Sequence, residues 1–284
     1  MVVGKYNISL INVGDFALDG GAMFGVVPKT LWSRSYEEGD YKNRISLCTR
    51  LMIIEGEGKK ILVDTGNGNK LDEKSKKIYR IDDGNSSLVS ILENAGHTPE
   101  SFTDILLTHL HFDHVGGATV FDSNGVAVPS FPNIPHHIQK EQLDWARNPS
   151  PKDRASFMPE NYEPIADAGL FDILEGAGEL FPGIHVYPLY GHTKGMQMIR
   201  IDGGNETKSL SYFADLCPTS AHLKLPYVMG YDNFPMSTME EKNTHIVKVA
   251  EEGDIAVFEH DAYTSAAILE MTVKGPGIKE KVEL

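Results

Sequence analysis

The apolar run Ile105-Leu106-Leu107 stops abruptly in Thr108-His109-Leu110-His111-Phe112-Asp113-His114 and then in Val115-Gly116-Gly117. In extended backbone, residues i and i+2 point the same way, so His109 and His111 can offer imidazoles to one point while Leu110 and Phe112 pack behind them. A turn into helix just after Phe112 brings Asp113 and His114 to the side of that pair, where carboxylate oxygen and imidazole nitrogen suit a second borderline cation such as zinc. Gly116 and Gly117 permit close approach of another backbone segment. Four ligand-type residues in a window of six set this stretch apart from a polar loop that is merely rich in histidine.

The rest of the chain bounds the surroundings of that stretch. Its 284 residues can bury a substantial core, and no Ser/Pro/Gly linker, low-complexity tract or internal repeat divides it, so the expectation is one domain over residues 1–284. The formal charge of −14 opposes a polyanionic partner, and nucleic acid is not expected. The start lacks a basic segment followed by a long apolar one, and nowhere do 18 apolar residues run together. A soluble, cytoplasmic protein without membrane partners is expected. The two cysteines, Cys48 and Cys217, fit reduced thiols better than a disulfide framework.

Read in order, Tyr6, Ile8 and Leu10 alternate with polar residues and predict a half-buried strand. Residues Leu18 to Pro28 read as a glycine-punctuated loop whose Met23 and Phe24 can either line a pocket or cap the core. Leu47 to Ile54 and Lys60 to Val63 read as a hairpin about Glu55-Gly56-Glu57-Gly58. The second strand ends in Asp64-Thr65-Gly66, where the carboxylate can accept an imidazole N–H and fix its tautomer, or serve an ordinary turn. Ser86 or Ser87 can cap a helix carrying Leu88, Ile91, Leu92 and Ala95, ended by Gly96. Asp104 to Thr108 is the strand delivering the opening motif. His136 and His137 sit in a strand from Ile134 to Gln139 and read as structural, and a helix follows over Lys140 to Arg147. Ser150 to Pro164, with Phe157, reads as a mobile segment over a site.

The strand Ile184 to Leu189 runs into a turn holding His192. Lys208 to Phe213 runs into Ala214-Asp215, and Ile255 to Phe258 into Glu259-His260. Ser237-Thr238-Met239-Glu240 reads as a capping box opening the helix before that last strand. Asp64, His109, His192, Asp215 and His260 therefore stand at five strand ends of an α/β pattern. Together with His111, Asp113 and His114 they supply enough donors for two metals with an open position for water.

This order of residues resembles the metallo-β-lactamase-fold hydrolases over almost the full chain. Asp19-Gly-Gly-Ala-Met-Phe-Gly-Val-Val-Pro-Lys-Thr-Leu-Trp32, Thr108 to His114, Ala214-Asp-Leu-Cys-Pro-Thr219, Tyr231-Asp-Asn-Phe-Pro-Met236 and His260-Asp-Ala262 are similar to the branch of quorum-quenching N-acyl-homoserine lactonases and methyl parathion hydrolase. The resemblance implies a four-layer αβ/βα sandwich. It implies that His109, His111 and His192 hold one divalent ion and Asp113, His114 and His260 the other, with Asp215 bridging and Asp64 behind the ligands. Zinc is the first expectation, with manganese, iron or cobalt accepted according to supply. A metal-bridging hydroxide would open a lactone or cleave an ester, and Asp113 would carry the proton to the leaving alkoxide. Met23, Phe24, Trp32 and Phe157 are candidates for a wall against an apolar acyl or aromatic part of a small-molecule substrate. A homodimer is expected from the resemblance alone.

One position departs from the pattern. Short-chain lactonases of this branch carry a tyrosine three residues after the bridging aspartate, and here Pro218 stands there. His222 and Tyr227 lie downstream as possible substitutes, although a loop histidine such as His222 is more often solvent-exposed. A zinc β-lactamase with a cysteine ligand fits poorly, because Asp215 holds the second-site position, His114 is present and Cys217 would point to the opposite side of an extended chain. A di-iron reductase would carry glutamate where His111 stands. A nuclease is opposed by the charge. An organophosphate triesterase or a thioester hydrolase of the same fold stays open. From another class altogether, so does a non-catalytic metal-binding or sensing module.

Overall fold

The computed structural model describes residues 1–81 and 87–284, and Ser86, one of the two expected helix caps, lies outside the described residues. Two compact units are formed. The first comprises Tyr6–Phe16 and Thr49–Glu175, the second Met1–Lys5, Ala17–Cys48 and Gly176–Leu284.

One seven-stranded sheet, most of it in the first unit, runs in the order Val2–Val3, Tyr6–Asp19, Arg44–Gly56, Lys59–Val63, Asp104–Leu106, His136–Gln139, Phe171–Leu174. Arg44–Gly56 and Lys59–Val63 form the expected antiparallel hairpin, turned at Glu57, which has φ 51°, and Gly58. From there the sheet is parallel, Lys59–Val63 beside Asp104–Leu106, then His136–Gln139, then Phe171–Leu174. Parallel neighbours need crossovers, and the three in turn carry the helices Leu88–Asn94, Phe112–Val115 and Lys140–Arg147. Ser87 caps the first by accepting from Ser90 N. The apolar core gathers Leu51, Leu62, Leu92, Ile105, Leu107, Leu110, Phe131 and Ile138. Leu110 is wholly buried, which at about 1.5–3 kcal/mol for such a side chain fixes the backbone between the two metal-type histidines on either side of it.

The second unit holds a seven-stranded sheet in the order Gly178–Phe181, Ile184–Leu189, Met196–Ile201, Leu210–Tyr212, Ile255–Val257, Ala266–Thr272, Gly275–Val282. Its one parallel pair is Leu210–Tyr212 with Ile255–Val257, joined through the helix Pro235–Glu252. His109 in the first unit and Asp215 and His260 in the second follow the carboxyl ends of parallel strands, where side chains from loops converge in α/β sheets, whereas His192 follows the antiparallel strand Ile184–Leu189. Among the described residues no helix is long and apolar enough to cross a membrane.

Several sequence expectations need correction. Residues Leu18 to Pro28 are not a plain loop: strand continues to Asp19, whose carboxylate accepts from Ala22 N at 2.8 Å and caps a helix over Gly20–Phe24. Two glycines at its start hide that helix from propensity. Ser237 opens no helix, because Pro235 takes the first helical position and puts the serine inside; proline fits there since its missing N–H is not needed. The segment Ser150 to Pro164 is anchored rather than loose. Asp153 accepts from Trp145 Nε1 at 2.8 Å, the Tyr162 hydroxyl donates to Ala146 O at 3.0 Å, and Phe157 is buried in the core. Around Asp215 the chain is not extended but makes a tight turn over Ala214–Leu216. The alternation argument for Cys217 therefore does not apply, yet its thiol is turned inward, where burial pushes it up to about 12. Both cysteines are free and buried.

Candidate metal centre

The first unit assembles its donors around one carboxylate. Asp64 stands just past the strand Lys59–Val63 with a left-handed φ of 58°, a conformation that Asp tolerates better than most residues. Its Oδ1 accepts from Thr108 N at 2.7 Å and its Oδ2 from Thr108 Oγ1 at 2.6 Å. The same Oδ2 lies 3.1 Å from His114 Nδ1, and Thr108 Oγ1 lies 3.1 Å from His109 Nδ1. These contacts settle the tautomers. A carboxylate only accepts, so the Thr108 proton goes to Asp64 and the Thr108 oxygen accepts from His109 Nδ1–H, while His114 Nδ1–H donates to Asp64. Each ring then turns Nε2 away from this network as a lone-pair donor.

His111 precedes the short helix Phe112–Val115, as the spacing requires. Its Nδ1 comes within 3.2 Å of His109 Nε2, so two imidazole nitrogens converge. Asp113 Oδ1 lies 4.0 Å from His114 Nε2. Phe157 packs on the His111 ring with centroids 4.6 Å apart. All four motif donors are buried.

The glycines act as anticipated. A Cβ on Gly116 would meet Asn67 O at 2.1 Å and one on Gly117 would meet Thr65 O at 2.2 Å, so the Thr65–Asn67 backbone lies directly against the motif. Lys70 closes the arrangement by donating to the carbonyls of Gly116 and Thr119, the second at 2.7 Å. Burial pushes its ammonium down to about 8.

In the second unit, Asp215 follows Ala214, whose φ is 48°. Its Oδ2 lies 3.1 Å from His192 Nε2 and its Oδ1 3.2 Å from His260 Nε2. The far nitrogens of both rings are also held: His260 Nδ1 donates to Cys48 O at 2.9 Å, and His192 Nδ1 lies 2.9 Å from Asp232 Oδ1. With their Nδ1 protons so placed, two neutral imidazoles meet the Asp215 carboxylate lone pair against lone pair. Such an approach is stable only with positive charge in the gaps, either a proton on each ring or cations. Nitrogen and carboxylate donors of this kind suit divalent transition metals, so the residues present fit them.

The structure thus brings Asp64, His109, His111, Asp113 and His114 together in one unit, and His192, Asp215 and His260 together in the other. Sequence reasoning missed Thr108 and Asp232 as partners of these rings. Thr108 directly precedes the histidines, and Asp232 was visible only inside Tyr231-Asp-Asn-Phe-Pro.

The expected substrate wall is placed differently. Met23, Phe24 and Trp32 are almost wholly buried. The Phe24 ring is sandwiched between Trp32, 5.2 Å away at 9°, and His222, 4.6 Å away at 5°. His222 is not a solvent-exposed loop residue. It is buried in the turn Ser220–Leu223, its Nδ1 accepting from Thr219 Oγ1 at 2.7 Å and its Nε2 donating to Met23 O at 2.8 Å. Burial pushes this histidine down to about 4. Outside these groups, His137 pairs with Asp104 at 2.8 Å and His136 Nδ1 lies 2.9 Å from Ile134 O, the structural uses expected of both.

The described sequence matches the family model "Metallo-beta-lactamase superfamily" over residues 51–207, more than half of the chain. It is 28% identical over 173 residues to an N-acyl homoserine lactonase of Bacillus cereus, a match covering 56% of this chain and 60% of that one. A similar protein from a Bacillus species is 29% identical over 163 residues, 53% of this chain and 56% of the relative. The chain thus spans little more than half the length of the curated relatives it matches. A solved structure of a "probable metal-dependent hydrolase" from Staphylococcus aureus is 29% identical with a TM-score of 0.88, covering 100% of this chain and 99% of the other. A dizinc quorum-quenching lactonase solved with its product shares the fold at a TM-score of 0.80 and 20% identity, covering 100% and 97% of the two chains. With the ligand-type residues and the strand ends already in place, the chain belongs to the metallo-beta-lactamase superfamily and has its α/β sandwich fold.

Proposed function

We propose that this protein is a dinuclear metal-dependent hydrolase that opens a lactone or cleaves an ester, similar in activity to the N-acyl-homoserine lactonases, with residues 1–284 acting as a single hydrolase domain. The observation that carries this reading is the Asp215 carboxylate, met by His192 on one oxygen and by His260 on the other. A carboxylate shared in this way suits two cations better than one. His109, His111 and His192 would hold one ion and Asp113, His114 and His260 the other, with Asp215 common to both and zinc the first choice. When bound, such a pair supplies an activated water and electrophilic activation of the carbonyl at neutral pH.

The chain's own residues do the remainder. Asp113, which would help hold one ion, would also be placed to carry a proton to the leaving alkoxide. Asp64 and Thr108 hold the rings of His114 and His109 in one tautomer, so that Nε2 is the donor in each. Phe157 packs on the His111 ring and holds its orientation. Met23, Phe24, Trp32 and His222 form the packed layer behind an apolar acyl or aromatic group, which makes their role one of shape. The substrate is a small molecule rather than nucleic acid or a membrane, in keeping with the charge of −14. Quorum quenching in the cytoplasm, by a homodimer, is the setting we assign to it.

The test is a metal assay with a substrate panel. Purified protein should contain about two transition-metal ions per chain and turn over at least one acyl-homoserine lactone or ester in preference to thioesters and organophosphate triesters. Preference for a triester or thioester would move the reading to those hydrolases. Metal-loaded protein inactive on every member would leave a non-catalytic metal-binding module.

A further inference from the structure

We propose that Asp232 is the positioning residue of His192, selecting the ring tautomer and orientation that turn Nε2 toward Asp215. This rests on the dinuclear reading of the ligand set. Asp232 is 2% exposed, and both its oxygens are in use: Oδ1 lies 2.9 Å from His192 Nδ1 and Oδ2 accepts from Met229 N at 3.0 Å.

The backbone around His192 is fixed by the same segment. Asn233 donates to His192 O from its backbone N at 3.0 Å and from its side-chain Nδ2 at 2.9 Å, and Phe234 N donates to Gly191 O at 2.8 Å. The Glu241 carboxylate accepts from Tyr190 N at 2.6 Å and from Gly191 N at 3.1 Å. Gly191 itself lies so close that a Cβ there would meet Thr238 N at 2.4 Å. The main chain at 190–192 is therefore held from two sides. What those contacts leave undetermined is which ring nitrogen carries the proton.

Asp232 decides it. Next to a carboxylate such as Asp215, a neutral histidine left to itself would place its proton on Nε2 and make an ordinary hydrogen bond, closing that nitrogen to a metal. A second carboxylate behind the ring draws the proton to Nδ1 and keeps the Nε2 lone pair outward. Asp64 stands in the same relation to His114. His260, by contrast, is oriented by the neutral carbonyl of Cys48. On the proposed ligand set, each of the two metals then receives one carboxylate-backed histidine.

The variant Asp232→Asn keeps the shape but cannot accept from both His192 Nδ1–H and Met229 N–H. Chelator competition on zinc-loaded protein should show one zinc equivalent bound about 10- to 100-fold more weakly, with the other unchanged. Long-range ¹H–¹⁵N spectra of chelator-stripped wild type should show His192 protonated on Nδ1, and the variant should lose that signature. An unchanged affinity for both zinc equivalents in a folded variant overturns the proposal, as does an Nε2-protonated His192 in stripped wild type, a measurement independent of how the variant folds. Wild type that binds fewer than two zinc ions overturns the dinuclear reading itself, whereas two zinc ions held equally by both proteins removes only the role of Asp232.

Discussion

Asp215 Oδ2 sits 3.1 Å from His192 Nε2 although the other nitrogen of that ring is already committed to Asp232. Its Oδ1 repeats the relation with His260 at 3.2 Å. The carboxylate is thus addressed by His192 and His260 together, and its removal should be felt by two proposed ligand groups at once. Asp215→Ala is expected to bring metal content well below two ions per chain and to lower kcat/KM by more than the roughly 10- to 100-fold typical of losing an outer partner. Elemental analysis alongside steady-state kinetics checks this; a variant with full metal content and activity would refute the ligand scheme.

Asp113 is given a second task, proton delivery, which is separable by leaving group. Asp113→Asn should cost about 10²- to 10⁴-fold in kcat for lactones and alkyl esters, whose alkoxides need a proton. An aryl ester with an acidic phenol needs none, so its loss should be smaller. Equal losses across a series of leaving groups would show that Asp113 acts only as a ligand.

His222 makes stability depend on pH. Its ring must stay neutral to accept from Thr219 and donate to Met23, and its pKa falls from 6.5 to about 4 through burial. The unfolded chain therefore takes up a proton first as pH falls. The stabilisation is complete above about pH 6.5 and is lost progressively toward about 4. His136, also lowered to about 4 by burial, adds in the same direction. Thermal unfolding across this range should show His222→Gln less stable than wild type at pH 7, with the gap narrowing as the solution is acidified.

Lys70 ties down the turn that follows the metal-type motif. Lys70→Met leaves the carbonyls of Gly116 and Thr119 without that donor, at a cost of about 1–3 kcal/mol in urea unfolding. Gly117→Ala should be similarly costly, about 1–3 kcal/mol, because its Cβ would press on Thr65 O, which is backbone and cannot swing aside.

How much of this was legible in the sequence depends on what each element relies on. The hairpin at Glu57-Gly58, the helix Lys140–Arg147 and the strand Ile184–Leu189 are set by local pattern and stand where the pattern places them. The motif itself is close to its pattern: the strand ends at Leu106 rather than Thr108, and the helix starts at Phe112 rather than just after it. By contrast, Phe171–Leu174, Gly178–Phe181, Ala266–Thr272 and Gly275–Val282 went unread. They lie at or near sheet edges and are held by pairing with a neighbouring strand, through tight turns for the last three and with the distant His136–Gln139 for the first, rather than by their own alternation. The burial of His222 depends on Phe24, nearly two hundred residues earlier, and no local signal carries it. Asp232 was hidden for the same reason, since its meaning comes from His192, forty positions away.

The division of the chain also orders events during synthesis. Every segment of the first unit has been made once Glu175 is added, so its core, and with it the cluster of His109, His111, Asp113 and His114 backed by Asp64, can form while the rest of the polypeptide is still being translated. The second unit must wait. All the strands of its sheet follow residue 175, and the parallel pair Leu210–Tyr212 with Ile255–Val257 can form only after the helix Pro235–Glu252 between them has been made, a pairing across sequence separation that folds slowly. Nascent chains stalled near residue 180 would therefore carry half a metal-binding apparatus, already shaped, before the other half exists.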